Sequence, residues 1–145
     1  MPDNGLQHTI VVGVDGSENG RRALEWALEE AKLRQMSCLL VHGVEFGMAA
    51  SSPYIGSAYG DLEAAGQAVL DQEVAFATSS GITISSRLDL GSPAHALIEA
   101  SKGAGMLVVG TRGHGGFVGL LLGSVSAACV HHVHCPVMII PPGDE

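Results

Sequence analysis

Aromatic residues make up only 4% of this 145-residue chain. A core must therefore be assembled from Val, Ile, Leu and Ala, and the abundant Ala and Gly suit close packing of helices on a sheet. Charged residues are also scarce, at 15% against 46% apolar, which excludes a disordered chain. Basic residues are few and scattered: seven Lys plus Arg face fifteen Asp plus Glu, for a formal net charge of -8. With no basic stripe, nucleic acid is not expected as a main partner. Three cysteines are an odd number without framework spacing, which points to a reducing cytosol. The opening MPDNGLQHTI has no basic region and no long apolar run, so no signal peptide or membrane span is expected.

The most informative absence is local. Residues 103–143 contain no carboxylate, in a chain that has fifteen. The same stretch holds one arginine, four histidines and seven internal glycines. Its centre reads as an apolar run, a glycine-rich loop, and then Gly123-Ser124 opening a second apolar run. A strand feeding such a loop into a helix start presents backbone N–H groups to a phosphate. Keeping acids out of that neighbourhood removes the repulsion an anion would feel. An anionic ligand, a nucleotide above all, is the first expectation.

The length fits a single domain over residues 1–145. Residues 8–14 form a continuous apolar run, as in a strand buried on both faces, and end at Asp15-Gly16-Ser17. Ala23, Leu24, Ala27, Leu28 and Ala31 recur at helical spacing, with Ser17 as N-cap. A second buried strand spans 37–44. Residues 45–60, rich in Gly, Ala and Ser, read as a mobile loop, followed by a helix over 61–79. Residues 82–90 alternate as an edge strand does. Ser92-Pro93 starts a helix that runs to about Lys102. A strand over 106–110, a helix over 124–134 and a strand over 136–140 complete the chain. The β-α alternation predicts a parallel, doubly wound five-stranded sheet with helices on both faces.

Ligands of open α/β sheets bind beyond the carboxyl ends of the strands, where the strand order reverses. Two patches fall there: Asp15-Gly16-Ser17, and the loop that begins at Gly110. Asp15 is suited to a ribose hydroxyl, an adenine amine or water-mediated Mg²⁺, and equally to capping a turn. Glycines at 110, 113 and 123 are read as positions of φ > 0 and close backbone approach. Ser124 and Ser126 offer hydroxyls beside the first-turn N–H groups. Arg112, the sole permanent cation of the segment, fits a phosphate contact or a solvated loop position.

His131, His132, His134 and Cys135 have spacings a metal could use, but Pro136 ends the helix and histidines also suit a helix C-terminus. No metal site is assigned. His42 reads as a packed strand residue near the pocket, and His95 as a solvated or partly packed helix residue. Phe117, Val118 and Leu120 to Leu122 are an apolar insert suited either to a neighbouring helix or to a dimer contact.

The spacing Gly110-x2-Gly113-x9-Gly123-Ser124 resembles the nucleotide-binding motif of the universal stress protein family. VVGVDGS near the start, LLVHGV at the second strand and HCPVMII at the end extend the resemblance over essentially the whole chain. It implies a flavodoxin-like, adenine nucleotide alpha hydrolase-like fold with strand order 3-2-1-4-5, and ATP binding. It implies that Asp15, flanked by Gly13, Val14, Gly16 and Ser17, contacts the nucleoside. It places the backbone of Gly43 and Val44 beside adenine. Val109, Gly110, Arg112 and Gly113 would lie under ribose and phosphates, and Gly123, Ser124, Val125 and Ser126 would hold the phosphates. Gly43 departs from the bulkier residue usual there.

The resemblance also implies a homodimer paired through the fifth strand. The expected role is a cytoplasmic, ATP-binding stress or regulatory factor, with Mg²⁺ as an optional companion of the nucleotide. The rivals are a slow ATPase or phosphotransferase using His114 or Asp15, and a cyclic AMP-binding module using the same pocket.

Overall fold

The computed structural model describes residues 8–45, 55–111 and 123–143, with the backbone alone for 55–58. The elements are β1 (Thr9–Gly13), α1 (Glu18–Arg34), β2 (Ser37–Val44), α2 (Ile55–Thr78), β3 (Ile84–Leu90), α3 (Pro93–Ala100), β4 (Met106–Gly110), α4 (Ser124–His132) and β5 (Val137–Ile140). All four strand pairings are parallel, and the sheet order is β3-β2-β1-β4-β5. β1 is central, and the chain winds outward from it first through β2 and β3, then through β4 and β5. The strand order therefore reverses between β1 and β4, whose carboxyl ends are neighbours.

The apolar runs of β1 and β4 lack alternation because both faces of these strands are covered. Ile10, Val12, Met106 and Val108 face a cluster with Ala23, Leu24, Ala27 and Leu28 of α1 and Leu70 of α2. Val11, Leu107 and Val109 face the other cluster, with Ala96, Leu97 and Ala100 of α3 and Cys129 of α4. Each fully buried aliphatic side chain contributes roughly 1.5–3 kcal/mol. An exposed ion pair such as Lys102–Glu99 is screened by water and contributes little. The two clusters, not the surface charges, hold the layers together.

Small residues set how closely the helices approach. A Cβ on Gly66 of α2 would lie 2.5 Å from Val44 Cγ2, and one on Gly13 would lie 3.0 Å from Leu97 Cδ1.

Several boundaries differ from the sequence expectation. α2 begins at Ile55, so residues 55–60, expected to be loop, are helical. Tyr59, Gly60 and Asp61 are exposed, and the Gly, Ala and Ser of this stretch give the sequence no clear helical period. α3 ends at Ala100 and Ser101 caps it. α4 ends at His132, because Val133 turns extended ahead of Pro136. β3 is an edge strand, as its alternation predicts.

Candidate functional site

The site is built at the carboxyl ends of β1, β2 and β4. β1 runs into a turn at Asp15-Gly16-Ser17. Gly16 holds φ 81°, in the left-handed region where glycine is favoured. The turn folds Asp15 back onto the start of α1: Asp15 Oδ1 accepts from the Ser17 N–H at 2.9 Å and from the Ser17 hydroxyl at 2.6 Å. Ser17 Oγ in turn accepts from the Gly20 N–H at 3.0 Å, capping α1. Gly20 must be glycine here, since a Cβ would lie 2.5 Å from Asp15 Oδ1. The turn-capping reading of Asp15 thus describes its Oδ1. No hydrogen bond within the described residues occupies its Oδ2.

β2 outruns β1. The last rung between them is Val14 N–H to the Val41 carbonyl at 3.0 Å, and β2 continues to Val44. The Val14 carbonyl, the next acceptor along that ladder, is met instead by His42 Nδ1 at 2.8 Å. Nδ1 therefore carries the proton, because a carbonyl only accepts. His42 faces β3 in the ladder and Gly43 faces β1, since residues alternate along a parallel pair. The β1-facing backbone edge of Gly43 consequently extends past the end of β1. The missing side chain of Gly43 is also accounted for: a Cβ would lie 2.5 Å from Pro93 Cα, so the start of α3 occupies that space. Val44 is tied to the other neighbour, its carbonyl accepting from the Gly91 N–H at 2.8 Å.

β4 ends in buried Val109 and half-buried Gly110, followed by Thr111. α4 starts at Ser124 with Gly123 as N-cap, and among the described residues no side chain caps it. Ser17 caps α1 and Ser92 caps α3. The N–H groups of Ser124, Val125 and Ser126 are the first-turn donors that a helix leaves without internal partners. Their partial positive charge stands in a stretch without carboxylates, the environment an anion needs.

Most expected site residues therefore fall on one rim: Gly13 to Ser17, Gly43 and Val44, Val109 and Gly110, and Gly123 to Ser126. Their chemistry differs from the expectation in three respects. Gly123 has φ −74° and ψ 171°, ordinary extended backbone. Gly110 is likewise not among the positive-φ glycines of the described residues, which are Gly16, Gly81 and Gly103. The glycine at 110 serves close packing instead, as a Cβ there would lie 2.8 Å from Asn19 Cγ. Ser126 is buried and its hydroxyl donates to the Thr111 carbonyl at 3.0 Å, while Ser124 is exposed. Val125 packs against the α3–α4 cluster. Arg112, Gly113, His114, Phe117, Val118 and Leu120 to Leu122 lie outside the described residues, as do residues 46–54 of the expected mobile loop.

Sequence reasoning missed Asn19 and Thr111, which tie this rim together. Neither belongs to a recognisable motif.

The histidine cluster does not share a helix: His131 and His132 end α4, their rings 6.3 Å apart and tilted, while His134 lies beyond it and donates its N–H to Ser101 Oγ at 3.1 Å. Among the described residues, no three His, Cys, Asp or Glu side chains gather as a metal site would require. No disulfide forms among the cysteines: Cys38 and Cys129 are buried, Cys135 is half-buried, and all three are free. Burial pushes the Cys38 and Cys129 thiols up to about 11, and raises Cys135 as well. No described helix is long and apolar enough to cross a membrane.

Comparison with known proteins places this rim in context. The profile of the Universal stress protein family matches residues 7–141. A universal stress protein of Mycolicibacterium smegmatis is 32% identical over 136 residues, covering 92% of this chain and 45% of that protein. The chain spans about half the length of the curated relatives it matches. Among solved structures, a universal stress protein family protein from Arabidopsis thaliana with AMP bound is 27% identical, with a TM-score of 0.69 and coverage of 93% of this chain and 92% of that one. A universal stress protein in complex with cAMP is also 27% identical, with a TM-score of 0.69 and coverage of 94% and 98%. By sequence profile and by relatives, the chain belongs to the universal stress protein family.

Proposed function

We propose that this chain binds an adenine nucleotide, ATP in the first instance, and acts as a nucleotide-responsive stress or regulatory factor. One observation carries the reading. The start of α4, uncapped by any side chain of the described residues and set in a carboxylate-free stretch, lies beside the end of β4, next to the Asp15 turn on β1. In this arrangement the first-turn N–H groups of Ser124, Val125 and Ser126 and the Ser124 hydroxyl take the phosphates. Gly110 lies under the ribose, and Arg112 and Gly113, which follow it in sequence, contribute beside it. Asp15, with its Oδ2 open, meets the nucleoside or a water of Mg²⁺. The backbone edge of Gly43 beyond β1 offers a donor and an acceptor to the base.

A binding module fits better than a fast enzyme. Phosphoryl transfer needs placed cations, metal ligands and a base or water-positioning group. Residues 103–143 supply no carboxylate for these roles, so slow ATP hydrolysis is the most they support. Cyclic AMP is the alternative ligand of the same pocket, favoured by the cAMP complex of a relative. The protein works in the cytoplasm and pairs with a second copy through β5, where Met138 is exposed at the sheet edge.

Gly123→Val tests the reading. Its backbone suits any residue, so the variant keeps its fold while the side chain fills the space the phosphates approach. Calorimetric titration should show ATP binding to the wild type and none to the variant, with circular dichroism unchanged. Equal ATP affinity in both proteins would remove the assignment, and competition between ATP and cyclic AMP ranks the two ligands.

A further inference from the structure

Asn19 is only 8% exposed, although it is the second residue of α1, where a polar side chain would ordinarily be solvated. A buried amide needs partners for its polar atoms. Its Nδ2 donates to the Ile140 carbonyl at the end of β5, at 3.0 Å, and its Oδ1 accepts from the Thr111 hydroxyl at 3.1 Å. Thr111 is engaged through every polar atom. Its N–H donates to the same Ile140 carbonyl at 3.0 Å, and its carbonyl accepts from the Gly123 N–H and the Ser126 hydroxyl. Gly110 leaves the space that the Asn19 side chain fills. Four elements meet at this node: the start of α1, the ends of β4 and β5, and the start of α4.

The node joins two places that the proposed site keeps apart. Asn19 lies two residues after Ser17, which anchors Asp15. Thr111 holds Gly123, from which the first turn of α4 begins. We propose that Asn19 and Thr111 form a positioning pair that fixes the phosphate-facing start of α4 relative to the nucleoside-facing Asp15 turn. This rests on the nucleotide site proposed above. The pair acts through Gly123 and Ser126. A pair that served the fold alone would alter thermal stability without distinguishing ligands that carry phosphates from those that do not.

Wild type, Thr111→Val, Thr111→Ser and Asn19→Ala are titrated with ATP and with adenosine, and melted thermally in parallel. Thr111→Val removes the hydroxyl at nearly constant shape, and Thr111→Ser retains it. Thr111→Val should weaken ATP about tenfold and adenosine less than about threefold, as expected when one buried hydrogen bond no longer sets the geometry. Thr111→Ser should restore ATP binding, and Asn19→Ala, which removes both bonds, should lose at least as much as Thr111→Val. If Thr111→Val does not fold, Asn19→Ala against Thr111→Ser decides by the same ratio of ATP to adenosine. An equal loss for both ligands, or ATP affinity within about twofold of wild type, overturns the positioning role and leaves the nucleotide site standing. A wild type that binds neither ligand overturns the nucleotide reading and the positioning pair with it.

Discussion

Arg21 of α1 clamps Glu73 of α2: Nη2 donates to Glu73 Oε1 at 2.7 Å, and the guanidinium lies 4.0 Å over the Phe76 ring. The Glu73 side chain is only 5% exposed, so the pair joins the two helices on one face of the sheet. Removing the arginine would leave a carboxylate in the interior without its counter-charge, which is costly, although Arg21 itself is 37% exposed and partly screened. Arg21→Ala should destabilise by about 2 kcal/mol, and Glu73→Gln, which removes the charge and keeps an acceptor, by less. Urea melts of the two variants check the order. No loss for Glu73→Gln beside a full loss for Arg21→Ala would mean that the Phe76 contact, not the ion pair, holds the helices, and a larger loss for Glu73→Gln would contradict the expected order.

Gly43 and Pro93 make a second prediction. Gly43→Val would drive a side chain into the backbone of α3, where the first added carbon already lies 2.5 Å from Pro93 Cα. Backbone cannot give as a flexible side chain can, so overpacking of about 1–3 kcal/mol is expected. Thermal melting should show the loss, although the family resemblance would make a bulkier residue here look conservative.

How much was legible in the sequence follows from where the physical constraints act. The buried strands announced themselves because both faces are covered, and the edge position of β3 showed in its alternation. The sheet order was implied by the family motif, not by periodicity. The start of α2 was hidden because the Gly-, Ala- and Ser-rich stretch before Asp61 shows no clear helical period. At the site, Asp15, Gly16 and Gly123 were legible because a turn and a helix start have local signatures. Asn19 and Thr111 were not: the partners of Asn19 lie 121 and 92 residues away in sequence, and an Asn early in a helix looks solvated. Gly43 and Gly110 were recognised as unusual positions, but their reason is contact with Pro93 and Asn19, which only the folded chain reveals.

The buried thiols predict an alkaline limit to stability. Burial raises Cys38 and Cys129 from an ordinary value of 9.0 to about 11. Well below pH 9 both thiols are neutral in the folded and unfolded chains, and the fold carries no penalty. As pH rises from about 9 to about 11, the unfolded chain releases thiol protons that the folded chain retains, so stability falls with pH. Melting temperatures across this range should fall more steeply for wild type than for the doubly substituted Cys38→Ala, Cys129→Ala protein. Parallel curves would contradict the assignment. At neutral pH, half-buried Cys135 should be the first thiol alkylated, since access as well as ionisation sets the rate.

Asp15 separates the fold from the ligand most cleanly. Its Oδ1 is held by the Ser17 N–H and hydroxyl, so Asp15→Ala disturbs the turn as well as any ligand contact. Asp15→Asn retains a carbonyl oxygen for the Ser17 N–H, and its melting temperature should stay close to wild type. If the free oxygen meets the nucleoside, both variants should weaken ATP, AMP and adenosine by similar factors, about tenfold for the loss of one hydrogen bond to a charged group. If Asp15 acts through Mg²⁺, the loss should grow with phosphate number and vanish on chelation. Titration of the three ligands with and without Mg²⁺ decides between these roles. Wild-type affinity for all three in Asp15→Asn would confine the residue to holding Ser17 in the turn before α1, and the base-side contacts would then rest on the Gly43 edge alone.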